Sequence, residues 1–148
     1  MMNRLTQCIF CGSLIFSCLF FSAMIQAECK LQTLTPKGDE IHANELTIKL
    51  GVADDATRPT AWQGPLVFGY CSLDIGIIEQ PLKLADGHFL YVPTYSGSLN
   101  TLYVVDLRAC KIQWQSQTFS GALTISSKGL ELDKRHIPLD EKCFPIAK

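Results

Sequence analysis

Apolar residues after position 27 are spaced as in short β-strands. Residues 46–50 alternate apolar and polar side chains, and residues 101–105 are rich in β-branched and aromatic ones. Turns that contain glycine, as at 86–87 and 96–98, separate such segments. No segment keeps a helical spacing of apolar residues over three turns. The sequence therefore predicts an all-β fold of antiparallel sheets, with residues 51–65 as a long surface loop.

A weak internal repeat subdivides this pattern. The form cysteine, any residue, aliphatic, polar begins at Cys29, Cys71 and Cys110, at intervals of 42 and 39 residues. A period of about 40 residues is typical of propeller-like blades, although any β-meander with regular turns gives a similar pattern. Three units are too few to close a ring. The expectation is an antiparallel sheet domain with blade-like meander units.

Residues 1–27 have the organisation of a secretory signal peptide. Arg4 supplies the positive start, residues 8–21 form an apolar run, and Ala27 places a small residue at the expected cleavage point. The apolar run is short for a membrane-spanning helix, which makes an uncleaved anchor the less favoured alternative. We therefore predict a periplasmic protein with a cleaved signal peptide, no membrane insertion after cleavage, and one all-β domain at 28–148.

Four cysteines follow the predicted signal peptide: Cys29, Cys71, Cys110 and Cys143. An even number in an exported chain predicts two disulfides. Of the three possible pairings we favour Cys29–Cys71 with Cys110–Cys143, which join neighbours in sequence, although spacing alone does not decide between them. Zinc is the other use of four cysteines, but zinc ligands usually occur in CxxC pairs and this sequence has none. No metal or other cofactor is expected.

Charge and motifs argue against several classes of function. Only Arg4 of the 13 basic residues lies in the predicted signal peptide, which leaves 12 basic and 14 acidic residues and a net charge of −2. Nucleic-acid binding needs a concentrated positive surface. The sequence has no GxSxG, HExxH or glycine-rich phosphate motif. Because these motifs are absent, we expect a binding protein and not an enzyme. A hydrolase would gain support if His88, Asp86 and a serine converged in one pocket.

The turn between two of the strongest strand signals is the candidate site for binding a partner. A small hydroxyl side chain next to glycine fits a narrow cleft, and a hydroxyl both donates and accepts hydrogen bonds. A plain connecting loop is the simpler interpretation of the same residues. The candidate residues are Tyr95, Ser96, Gly97, Ser98, Leu99 and Asn100.

The second half of the chain resembles a known family. The blocks that carry the resemblance are Gly-His-Phe-Leu at 87–90, Tyr-Ser-Gly-Ser at 95–98, Ala-Cys-Lys-Ile at 109–112, Ser-Gly at 120–121 and Lys-Gly-Leu-Glu-Leu at 128–132. In this order and spacing they resemble the periplasmic immunity proteins that protect bacteria from a type VI secretion peptidoglycan amidase. The first half agrees only in the signal peptide and in two cysteines.

The resemblance implies an all-β inhibitor that covers the substrate groove of a papain-like amidase with a cysteine–histidine pair. In that family a serine of the Ser-Gly-Ser turn reaches the catalytic histidine, and on this chain that serine is Ser98. Leu99 stands where the family has a second serine, so a contact through two hydroxyl groups is not expected. The expected partner is a cognate secreted cysteine amidase.

Two other functions remain open from the sequence. Periplasmic lysozyme inhibitors are also small, exported and disulfide-linked, and they also direct a serine-bearing loop at an active site. A non-catalytic structural module of an envelope complex is the second alternative, and it predicts a large exposed apolar patch.

Overall fold

A computed structural model describes residues 29–146, and these form antiparallel β-strands without a helix. The predicted signal peptide at 1–27 lies outside the described residues. In chain order the strands are β1 (Leu31–Leu34), β2 (Glu40–Ala43), β3 (Leu46–Lys49), β4 (Val52–Ala53), β5 (Ala61–Gln63), β6 (Leu66–Phe68), β7 (Cys71–Leu73), β8 (Ile77–Glu79), β9 (Leu82–Ala85), β10 (Phe89–Ser96), β11 (Leu99–Asp106), β12 (Lys111–Gln115), β13 (Leu123–Ser126), β14 (Gly129–Leu132) and β15 (Arg135–Ile137). The prediction of an all-β fold is confirmed.

The strands form one sheet of eight strands, one of four and one of three. In the eight-stranded sheet, one edge of β10 pairs with β11 along its whole length, while the other edge pairs first with β9 and then with β8. Beyond these neighbours lie β12, β1, and the pair β5 and β4. The four-stranded sheet has the order β2-β3-β6-β7, and the three-stranded sheet is the meander β13-β14-β15. In residues 29–146 there is no helix of the length and apolarity needed to cross a membrane.

Alternate residues of the central strand β10 enter two separate hydrophobic clusters. Leu90 packs with residues of the four-stranded sheet such as Ile48, whereas Tyr91 packs with residues of the three-stranded sheet such as Leu130. Because successive side chains of a strand point to opposite faces, the eight-stranded sheet lies between the other two. Burial on both faces explains the almost unbroken apolar run at 89–93.

The disulfide pairing that we favoured is wrong. The structure joins Cys29 to Cys143, with Cα atoms 5.1 Å apart, and Cys71 to Cys110, with Cα atoms 5.5 Å apart. The reason is the layering of the fold. Cys29 lies in the cluster under the three-stranded sheet, while Cys71 lies in the cluster under the four-stranded sheet. Neighbours in sequence are therefore on opposite faces of the central sheet.

The segments of the cysteine repeat are not equivalent in the structure. The first leads into β1 and the third into β12, both of which belong to the eight-stranded sheet. The second begins β7, at the edge of the four-stranded sheet. Antiparallel meander units are present, but the repeat places its cysteines in different sheets.

Tyr91 connects the central sheet to the carboxyl-terminal segment. Its side chain is fully buried, and its hydroxyl donates a hydrogen bond of 2.5 Å to the main-chain carbonyl of Cys143. Burial raises the pKa of this hydroxyl well above its usual value, and the nearby Asp140 carboxylate adds to the effect. The hydroxyl therefore stays protonated and available as a donor.

Replacing Tyr91 with phenylalanine is expected to lower the free energy of unfolding by about 1–3 kcal/mol, because the buried Cys143 carbonyl loses its donor. Urea denaturation measures this as a lower midpoint with an unchanged slope. Tyr103→Phe, on the neighbouring strand and partly buried, is the matched control and is expected to change stability by less than about 0.5 kcal/mol. Equal stability of the two variants would contradict the assigned hydrogen bond.

Candidate functional site

The predicted binding residues form the tip of the hairpin between β10 and β11. Residues of the two strands pair from Phe89 with Asp106 up to Ser96 with Leu99, which leaves only Gly97 and Ser98 as the loop. Gly97 has φ of 62°, while Ser98 is not among the residues of positive φ. This is the sign pattern of a type II′ turn, whose first position favours glycine. A Cβ atom on Gly97 would meet nothing within 4 Å, so the conformation and not crowding requires glycine.

The tip, which we define as residues 95–100, is open to solvent. Residues 96–99 are exposed, Tyr95 and Asn100 are half-buried, and Leu99 keeps 48% of its surface accessible. Within residues 29–146, no group forms a hydrogen bond with the Ser98 hydroxyl. That hydroxyl is therefore free to meet a group on another molecule.

Both edges of the hairpin are supported almost to the tip. On one side, Tyr95 pairs with Ile77 of β8. On the other side, the main-chain groups of Asn100 and Phe119 exchange two hydrogen bonds, of 2.8 and 3.0 Å. Between the two strands, the buried Thr94 hydroxyl donates to the carbonyl of Thr101 at 3.0 Å. These contacts hold the tip in one geometry, which lowers the entropy cost of binding.

A groove of about 400 Å³ runs beside the tip. Its walls are Leu99, residues 117–120 and residues 132–135. Arg135 fixes one wall, because its guanidinium donates to the Gln117 side-chain oxygen at 2.9 Å and to the carbonyls of Gln117 and Thr118 at 3.4 Å. The tip and this groove form one continuous surface through Leu99.

The groove residues were not predicted from the sequence. Residues 117–120 follow β12, and residues 132–135 form the hairpin between β14 and β15. Residues 117–120 lie beside Leu99 because Phe119 pairs with Asn100, and residues 132–135 reach the same groove through the three-stranded sheet. No local motif in the sequence signals this contact.

The arrangement that a hydrolase would need is incomplete in the described chain. The Nδ1 atom of His88 lies 2.8 Å from the Asp86 carbonyl and 3.9 Å from its carboxylate. Two grooves, of about 630 and 330 Å³, lie next to Asp86 and His88, and no serine of the described chain lines either groove. Among residues 29–146, no group of His, Cys, Asp and Glu side chains is placed to hold a metal ion.

The sequence matches no protein-family model, and a search of curated proteins finds no significant match.

Proposed function

We propose that this chain is a periplasmic immunity protein that binds and inhibits a type VI secretion peptidoglycan amidase. In this proposal the tip enters the active-site cleft of the amidase and blocks access of the peptide stem. The observation that carries the proposal is the exposed Ser98 hydroxyl, unpaired in the described chain, on a two-residue turn at the end of the longest hairpin.

The chemistry of the tip suits a cleft that contains a cysteine–histidine pair. Gly97 adds no side chain, so the two-residue turn is narrow enough to enter a groove built for a peptide. The Ser98 hydroxyl donates to a neutral imidazole nitrogen or accepts from a protonated one. Inhibition then needs no covalent step, because occupation of the cleft excludes the substrate.

The two disulfides fit the compartment in which such an inhibitor works. Disulfides persist in oxidising compartments such as the periplasm. A peptidoglycan amidase delivered by a rival cell acts outside the cytoplasm, so its inhibitor must be exported. The sequence pattern of residues 1–27 supplies the expected signal for export.

A structural module of an envelope complex is less well supported. Such a module would bury a contiguous apolar face against a larger subunit. The large apolar side chains exposed in residues 29–146 are Val52, Tyr70, Leu99, Ile112 and Ile146. The Cys71–Cys110 disulfide brings the segments of Tyr70 and Ile112 near each other, whereas Leu99 lies on the tip. An exposed apolar residue on the tip itself suits a local contact there.

The proposal predicts that a neighbouring gene encodes a secreted cysteine amidase, and the decisive experiment combines that amidase with purified residues 28–148. We expect hydrolysis of peptidoglycan by the amidase to stop at a one-to-one ratio, with nanomolar or tighter binding. Lysozyme, assayed in parallel, is expected to remain fully active. Uninhibited amidase would refute the proposal, and inhibition of lysozyme alone would replace it with the lysozyme-inhibitor alternative.

A further inference from the structure

Arg135 carries a charge that its own hydrogen bonds do not neutralise. Its three acceptors in the described chain are one side-chain amide and two main-chain carbonyls, all of them neutral. A guanidinium has five N–H donors, so two remain for another molecule. The side chain is therefore fixed in position while its charge and part of its donor set stay available.

The groove that contains Arg135 is weakly positive. Lys134 is exposed beside it, and no carboxylate of residues 29–146 forms an ion pair with either residue. Among the described residues that line the groove, Asp133 is the only carboxylate, whereas Lys134 and Arg135 are both cations. The net charge of the lining favours an anion, in contrast to the net negative charge of the domain as a whole.

The groove adjoins the tip directly. Leu99 belongs to both, and the backbone pairing of Asn100 with Phe119 fixes their relative position. A protein that receives Ser98 in its cleft therefore has the rim of that cleft next to the groove that Leu99 and Arg135 line. Extension beyond the tip is also expected from size, because a two-residue turn buries far less surface than a stable complex needs.

We infer that the groove is the second half of the binding surface and that Arg135 binds a carboxylate side chain on the rim of the amidase cleft. This inference rests on the proposed function. Arginine and carboxylate form charge-assisted hydrogen bonds, often as a bidentate pair, and a guanidinium already held in place loses little entropy on forming them. Lys134 adds attraction at longer range, which raises the rate of association.

The test measures inhibition of the amidase by wild-type protein and by Arg135→Gln, Arg135→Lys and Lys134→Gln. Arg135→Gln is expected to weaken inhibition by about 10- to 100-fold, with Arg135→Lys in between. Lys134→Gln is expected to slow association by about 2- to 5-fold at low salt and to reduce its dependence on salt. Lys128→Gln removes the same charge at the other end of the three-stranded sheet and is expected to inhibit like wild type.

Thermal melting of each variant separates binding from folding, since Arg135 also holds the 117–118 segment. If Arg135→Gln melts at a lower temperature than wild type, its weaker inhibition no longer reports on binding alone. The role of the groove is then judged from inhibition by Arg135→Lys and from the salt dependence of association by Lys134→Gln. Wild-type inhibition by all three groove variants would overturn this inference and leave the role of Ser98 intact. An amidase that the wild-type protein does not inhibit would overturn both.

Discussion

The Ser98→Phe variant is expected to lose inhibition of the amidase by at least about 100-fold while it folds normally. Ser98 is exposed and contributes nothing to either hydrophobic cluster, so its replacement should change the free energy of unfolding by less than about 0.5 kcal/mol. A phenyl ring at the end of a two-residue turn widens the tip beyond what a peptide cleft admits. The rigid support of the hairpin prevents the tip from bending away from the clash.

Two further variants separate shape from hydrogen bonding. Ser98→Ala keeps the narrow tip and removes only the hydroxyl, so it is expected to weaken inhibition by about 10-fold, the effect of one net hydrogen bond. Ser72→Phe places the same ring on an exposed position of β7, in a different sheet, and is expected to inhibit like wild type. Inhibition constants and melting temperatures are measured for all three. Full inhibition by Ser98→Phe would exclude insertion of the tip.

The tip could be predicted from the sequence because its structure is local. A Gly-Ser pair between two β-rich segments is sufficient to specify a tight hairpin, and the structure places the loop at those two residues. Residues 46–50, from their alternating pattern, and residues 101–105, from their composition, were likewise predicted as strands, and they correspond to β3 and to part of β11.

Residues 51–65 show where local patterns fail. They were predicted as a surface loop, yet β4 pairs with β5 inside this range. The hairpin depends on Asp54, whose carboxylate accepts hydrogen bonds from the Thr60 hydroxyl and from the amides of Thr60 and Ala61. These bonds hold the pKa of Asp54 well below its usual range, and the bond from the Thr60 hydroxyl contributes most. Strands of two or three residues are too short to show an alternating pattern.

The groove and the disulfide pairing could not be predicted for a common reason, since both depend on which layer each segment occupies. Alternation along a strand shows that a residue is buried, but it does not show which of two cores receives it. Cys29 and Cys71 have similar sequence contexts and lie in different cores. The same ambiguity hides the groove that Leu99 and residues 132–135 line together.

Removal of the Cys29–Cys143 disulfide is expected to cost about 5 kcal/mol of stability, and removal of the Cys71–Cys110 disulfide about 4 kcal/mol, in the chain-entropy model. The difference follows from the sequence separations of 114 and 39 residues, because the longer loop restricts the unfolded chain more. Paired alanine variants and guanidinium denaturation measure both values. Since small domains have only about 5–15 kcal/mol in total, the first variant should be close to unfolding at 37 °C.

Thiol titration of the first of these variants, and of a variant that removes one cysteine from each disulfide, tests the pairing itself. Cys29→Ala with Cys143→Ala is expected to show no free thiol after denaturation, because Cys71 and Cys110 remain joined. Cys29→Ala with Cys71→Ala is expected to leave two free thiols, because the remaining cysteines lie on different sides of the central sheet. The opposite result is two free thiols without Cys29 and Cys143, and none without Cys29 and Cys71. It would show that the disulfides join sequence neighbours, Cys29 to Cys71 and Cys110 to Cys143. That outcome would also remove the layered arrangement that brings the groove beside Ser98.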